Sequence, residues 1–113
     1  MASVESAPET TVLGAREIPS VEEARRLAQM FQLFADATRS RILYALLEAE
    51  ELCVNDISAA LDVPETSVSH ALRLLRIAGV VKNRRAGRLI YYSLDDEHIR
   101  MLLRTSREHL AHG

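Results

Sequence analysis

The apolar positions of this chain recur at two different periods, and the change of period divides it. Leu27, Met30, Phe31 and Phe34 recur at three- and four-residue spacing, which marks one face of a helix. Ser20 suits the N-cap, and Glu23 three residues later completes a capping box. Asp36 caps a second helix, in which Ile42, Leu43, Leu46 and Leu47 form the apolar stripe. Glu50-Glu51 marks the break after it. Residues 52–61 read as a short helix with Val54, Ile57 and Leu61 inward. Residues 62–64 then make a turn, with Pro64 at a first helical position. The next helix, over 64–78, aligns Val68, Leu72 and Leu75 on one face, and Gly79 suits its C-terminal end. Two short helices joined by a turn of about three residues form a helix-turn-helix.

After Gly79 the period shortens. Residues 80–84 and 89–94 are β-branched, aromatic and strand-like, and Arg85-Ala86-Gly87-Arg88 joins them as a hairpin turn. A β-hairpin with arginines at its tip, placed directly after a helix-turn-helix, is a wing. Asp95 is placed as cap of a last helix that runs almost to residue 113. Residues 1–18 are small and polar, with Pro8 and Gly14, and read as a mobile tail. The expectation is one mainly α domain over 19–113 with a β-hairpin wing.

Composition narrows the function classes. The chain has 113 residues, 48% hydrophobic and 27% charged, enough for one core without disulfides. A single cysteine makes no internal disulfide, so nothing points to an oxidising compartment. There is no apolar run long enough to span a membrane. The first twenty residues lack the basic start and apolar stretch of a secretory signal, so the expected address is the cytoplasm, with no membrane partner. No Gly-rich phosphate loop and no nucleophile in a recognisable setting are present, which argues against an enzyme.

The net charge of −2 hides a pattern. Residues 45–64 carry Glu48, Glu50, Glu51, Asp56 and Asp62 and no Lys or Arg. Residues 65–92 carry Arg73, Arg76, Lys82, Arg84, Arg85 and Arg88 against Glu65 alone. A local basic stretch lets a mildly acidic protein bind phosphate. It coincides with the helix that leaves Thr66, Ser67, Ser69, His70, Arg73 and Arg76 outside the apolar stripe. Short hydroxyl side chains reach base edges and phosphates, and Arg supplies phosphate contacts or bidentate guanine readout. With Arg84, Arg85 and Arg88 on the wing, these residues form a candidate surface for double-stranded DNA. The plainer reading, a solvated polar helix face, is disfavoured by the turn before the helix and the wing after it.

Three segments together resemble the ArsR/SmtB family of metal-responsive repressors: Glu51-Leu52-Cys53-Val54-Asn55-Asp56-Ile57, Ser67-Val68-Ser69-His70-Ala71-Leu72-Arg73 and Gly87-Arg88-Leu89-Ile90-Tyr91-Tyr92. The likeness covers residues 21–112. It implies a homodimeric winged helix-turn-helix that binds an inverted-repeat operator and releases it when an inducer binds. Ala71 stands where the family often has Gln, so one polar base contact is expected to be missing.

The last helix holds the candidate metal ligands Asp96, His98, His109 and His112. A helix turns ~100° per residue, so His109 lies ~20° round from His98 and His112 a further ~300°, on one stripe. Eleven residues also rise ~16 Å, whereas ligands of one ion lie within a few Å of each other. One chain therefore cannot bring the histidines to one ion. An antiparallel second copy can, setting Asp96 and His98 of one chain against His109 and His112 of the other, with two sites per dimer. Asp96 falls off the stripe unless it sits at the frayed helix start, beside the Asp95 cap. The family's C-terminal-helix site implies the same four positions. Three nitrogens and one oxygen suit a closed tetrahedral ion, Zn(II) first and Co(II) next, while Ni(II) prefers more ligands.

Cys53 reads as a small buried side chain. In some relatives its motif, with Asp56, joins a Cys- or His-bearing N-terminal arm, but residues 1–20 hold neither. The resemblance also implies a link from His109 to the backbone at His70, through which metal would loosen DNA. The sequence therefore supports a repressor relieved by Zn(II) or Co(II), and the family resemblance implies a metal exporter as the regulated gene product. A winged-helix regulator with no metal response, its histidines mere surface residues, and a sensor of another metal such as Ni(II) are the alternatives.

Overall fold

The structure, a computed structural model, describes residues 17–112. The elements are α1 (Val21–Phe34), α2 (Ala37–Ala49), β1 (Leu52–Cys53), α3 (Val54–Leu61), α4 (Glu65–Ile77), β2 (Val81–Ala86), β3 (Leu89–Leu94) and α5 (Glu97–His112). The chain divides into two units between Gln32 and Leu33, near the end of α1. Apart from Glu17 and Ile18, the expected tail lies outside the described residues. No helix among them is long and apolar enough to cross a membrane.

In the first unit, α1 starts where its cap chemistry places it: Ser20 Oγ accepts the Glu23 backbone N–H at 3.1 Å. Its apolar face is formed but not buried. Val21, Leu27 and Phe31 are all exposed, and no residue of the helix is buried.

The second unit holds the core. Asp36 is extended and its Oδ2 accepts the Arg39 N–H at 2.9 Å, which starts α2. Glu50, at φ +71°, ends it. From α2 come Ile42, Leu43 and Leu46; from α3 Ile57 and Leu61; from α4 Val68, Ala71, Leu72 and Leu75; Val80, Val81, Leu94 and Leu103 of α5 complete the cluster. Among the described residues no polar or charged side chain is buried, so nothing in this core demands a buried polar partner. Tyr44 reaches from α2 to α5, its hydroxyl donating to the Leu103 carbonyl at 2.8 Å.

The turn between α3 and α4 is built by three local devices. Asp62 takes a left-handed conformation at φ +58°. Ser58 Oγ donates to the Val63 carbonyl. Pro64 presets φ near −59° and presents its carbonyl to Val68 N–H at 3.1 Å. Pro64 is thus the N-cap residue of α4 and not its first helical residue.

The sheet has three strands in the order β1-β3-β2, all antiparallel. The expected helix from 52 starts two residues late. Leu52 and Cys53 instead pair with Tyr92 and Tyr91. Two residues cannot reveal whether their period is 2 or 3.6, and their partner lies far along the chain. The hairpin turn is also tighter than expected. Ala86 pairs with Leu89, leaving Gly87 and Arg88 as a two-residue loop. Gly87 has φ +66° and Arg88 is not in the positive region, the type II′ pattern that needs glycine at its first central position.

Candidate functional site

The outward face of α4 carries all six expected side chains. Thr66, Ser67, Ser69, His70, Arg73 and Arg76 are exposed, while Val68, Ala71, Leu72 and Leu75 are buried on the opposite side. At ~100° per residue the buried four fill one arc of ~100° and the exposed six the rest. The departure at Ala71 therefore removes no outward contact. Ala71 is 5% exposed and belongs to the core. By helical angle Ala71 lies at the edge of that arc, beside Leu75.

On the wing, Arg85 and Arg88 are exposed near the Gly87 turn. Arg84 is placed differently. Its Nε–H and Nη2–H donate to the two carboxylate oxygens of Glu51 at 2.6 and 2.8 Å. Its guanidinium carbon also lies 5.0 Å from the centroid of the Tyr91 ring. The hydrogen bond from Arg84 holds the Glu51 carboxyl below its usual range, and Glu51 raises Arg84 in turn. Glu51 is a residue that sequence reasoning passed over as a helix-break signal. Its partner is 33 residues away, and no local pattern reveals it.

At the start of α5 the capping residue is Asp96, not Asp95. Asp96 Oδ1 accepts the Ile99 N–H at 3.1 Å. Its Oδ2 lies 3.5 Å from His98 Nδ1. The Ile99 N–H first, and His98 after it, hold the Asp96 carboxyl below the usual carboxylate range. Asp96 and His98 are thus brought together, both with exposed side chains. His109 and His112 are exposed near the other end of the helix. His112 Nδ1 lies 2.8 Å from the Glu108 carbonyl. A carbonyl only accepts, so Nδ1–H is the donor, which leaves Nε2 facing away from this bond. Among the described residues, no three His, Cys, Asp or Glu side chains of one chain converge on a common point. None of them hydrogen-bonds His109 to His70.

Cys53 is 7% exposed and its S–H donates to Asp56 Oδ2 at 3.3 Å. It sits just ahead of α3 with its side chain in the core, as a small buried residue.

A helix-turn-helix packed on the core by one face and followed by a hairpin with exposed arginines defines a winged helix-turn-helix protein. The model of bacterial regulatory proteins of the arsR family matches residues 36–83. A transcriptional repressor SmtB homolog of Synechocystis sp. is 46% identical over 83% of this chain and 70% of its own length. A cadmium resistance transcriptional regulatory protein, a CadC homolog of Staphylococcus aureus, is 43% identical over 68% of this chain and 64% of its own length. The homodimeric winged helix-turn-helix DNA-binding domain of a Mycobacterium bovis protein superposes with a TM-score of 0.72. It is 28% identical, over 84% of this chain and 94% of that one. The chain belongs to the ArsR family, whose members are transcriptional regulators and not enzymes.

Proposed function

We propose that this chain is a metal-sensing repressor that binds an inverted-repeat operator as a metal-free homodimer and releases it when Zn(II), or Co(II), binds between the subunits. The observation that carries this reading is the split ligand set on α5. Asp96 Oδ2 and His98 lie 3.5 Å apart at one end, and His109 and His112 stand at the other, too far away to share an ion within one chain.

The donors fit such an ion. The helix cap occupies Oδ1 of Asp96 and leaves Oδ2, so the carboxylate can cap and ligate at once. His112 has one ring N–H fixed by a backbone carbonyl, the arrangement that orients a ligating imidazole. A second copy supplies the missing half. Met101, 56% exposed, lies on the histidine face of α5 by helical angle, and an antiparallel partner would cover it. On α1, exposed Val21, Leu27 and Phe31 would be covered by a second copy as well. Across such a dimer Asp96 and His98 of one chain, with His109 and His112 of the other, hold the ion. Held by these four side chains, a metal ion would tie the two subunits together and so favour one shape of the dimer.

Thr66, Ser67, Ser69, His70, Arg73 and Arg76 face the major groove, with Arg85 and Arg88 on phosphate. With one ring nitrogen of His109 on metal, the other would be free to donate to the backbone at His70, which would couple the two sites. Kinship with a cadmium resistance regulator supports a metal exporter as the regulated product. Coupling is reciprocal, so DNA weakens metal binding by the factor with which metal weakens DNA binding.

The test is fluorescence anisotropy of a labelled duplex from upstream of the chain's own gene, with metal-free protein and then stepwise zinc at fixed salt. The expected result is tight metal-free binding that zinc reverses. His98→Asn and His109→Asn should keep the binding and lose the reversal. Binding indifferent to zinc, cobalt and nickel would refute the sensing claim and leave a metal-independent regulator.

A further inference from the structure

Arginines on a DNA-binding wing are ordinarily counted as phosphate contacts, and three stand here within five residues. Their surroundings differ. Strand residues alternate in direction, so Arg84 and Arg85 project from opposite faces of β2. Among the described residues, Arg85 and Arg88 have no carboxylate partner. Arg84 presents a planar fork to both oxygens of Glu51, at 2.6 and 2.8 Å, the bidentate geometry in which arginine binds carboxylate best.

The pair also bridges the sheet. Arg84 is the cross-strand partner of Tyr91 and lies over its ring. Tyr91 pairs on its other side with Cys53 of β1. Glu51 stands just before β1, two residues past the end of α2, the helix that carries Ile42, Leu43 and Leu46 into the core. The ion pair therefore spans all three strands, from the core-side edge to the middle of the free hairpin. Beyond residue 84, among the described residues, β1 no longer pairs with the hairpin, whose two strands pair with each other.

We infer that Arg84 is a positioning residue and not a phosphate contact: clamped by Glu51 and seated on Tyr91, it sets the angle at which the wing offers Arg85 and Arg88 to DNA. A phosphate approaching Arg84 meets the Glu51 carboxylate beside it, so the arrangement disfavours direct contact. An exposed pair of this kind adds little to fold stability. Its consequence is directional, because a hairpin displaced at its middle moves most at its tip.

The inference rests on the DNA-binding reading and not on metal sensing. Its test is the salt dependence of metal-free protein binding to the labelled upstream duplex. Each lost phosphate contact lowers the slope of log K against log[salt] by about 0.9. Arg85→Gln and Arg88→Gln should each show that loss. Arg84→Gln should weaken binding about three- to tenfold, as loss of a coupled pair does, with the slope unchanged. Glu51→Gln separates the two roles by sign. It weakens binding if Glu51 is half of a strut, and tightens binding with a steeper slope if Glu51 only masks a phosphate-binding arginine. The exchanged pair, Glu51→Arg with Arg84→Glu, should recover most of the affinity. Thermal melts of all variants should stay close to wild type, which separates wing angle from loss of fold.

A smaller slope for Arg84→Gln, a tighter Glu51→Gln, or wild-type affinity in both would overturn the inference. Failure of the wild-type protein to bind the duplex even at low salt would show in the reference isotherm. It would remove the DNA-binding reading and this inference with it.

Discussion

Asp96 caps α5 with one oxygen and, in the proposed metal site, ligates with the other, and substitution can separate the two roles. Oδ1 caps α5 through the Ile99 N–H at 3.1 Å, while Oδ2 faces His98 at 3.5 Å. Asp96→Asn retains an acceptor oxygen that caps nearly as well, but removes the anionic oxygen. Asp96→Ala removes both. Losing the cap should lower Tm by roughly 5 °C in a domain of this size, so Asp96→Ala melts lower and Asp96→Asn stays within a degree or two of wild type. Loss of even an outer-shell partner weakens a metal site about 10–100-fold, so loss of a ligand oxygen should cost at least that in both variants. Differential scanning calorimetry of the metal-free proteins and a competition titration with a zinc indicator read the two effects separately. The pH dependence follows from the same hydrogen bond. The folded Asp96 carboxyl titrates below its unfolded value, chiefly because the Ile99 N–H stabilises the anion. Its contribution is therefore present above the unfolded pKa, about 3.9, and is lost as pH falls through the lower folded value. The wild-type advantage in Tm over Asp96→Ala should shrink in that acid window. Zinc affinity of Asp96→Asn equal to wild type would refute the ligand assignment. An Asp96→Ala protein that melts like wild type would refute the cap.

Three further outcomes are expected. Leu72 is 0% exposed at the centre of the core, so Leu72→Ala should lose about 2–5 kcal/mol, read from the urea midpoint. Arg73 is exposed on the outward face of α4; Arg73→Ala should either lower the salt slope by about 0.9, if it meets phosphate, or relax sequence preference at one base pair, if it reads guanine. An unchanged isotherm would place it off the DNA. Met101 is exposed in the single chain but central to the proposed α5 interface. Met101→Glu should shift sedimentation equilibrium toward monomer and weaken operator and zinc binding together, and a dimer as tight as wild type would exclude this face.

The helix-turn-helix and its outward face were legible from local rules. A residue's angle on a helix follows from its number, so the inward set Val68, Leu72 and Leu75 and the outward hydroxyls and arginines separate without knowledge of neighbours. Caps at Ser20 and Asp36 are equally local, each acting on an N–H three residues away. The wing was legible from the change of period and from Gly87, whose positive φ the turn requires. Choosing between Asp95 and Asp96 as the cap was not, since adjacent aspartates offer the same chemistry and the backbone entering from Leu94 decides which one reaches the Ile99 N–H.

The sequence by itself determined the order and type of nearly all elements, the faces they present and the spacing of the ligand candidates, because these depend on geometry within a few residues. Tertiary structure alone decided the rest. Leu52 and Cys53 became a strand because β3 offered them a ladder. Arg84 gained a carboxylate partner, Glu51, distant in sequence, once the sheet had formed. Such pairings are fixed only when the chain closes on itself, and the identity of the neighbour, not the residue, sets the role.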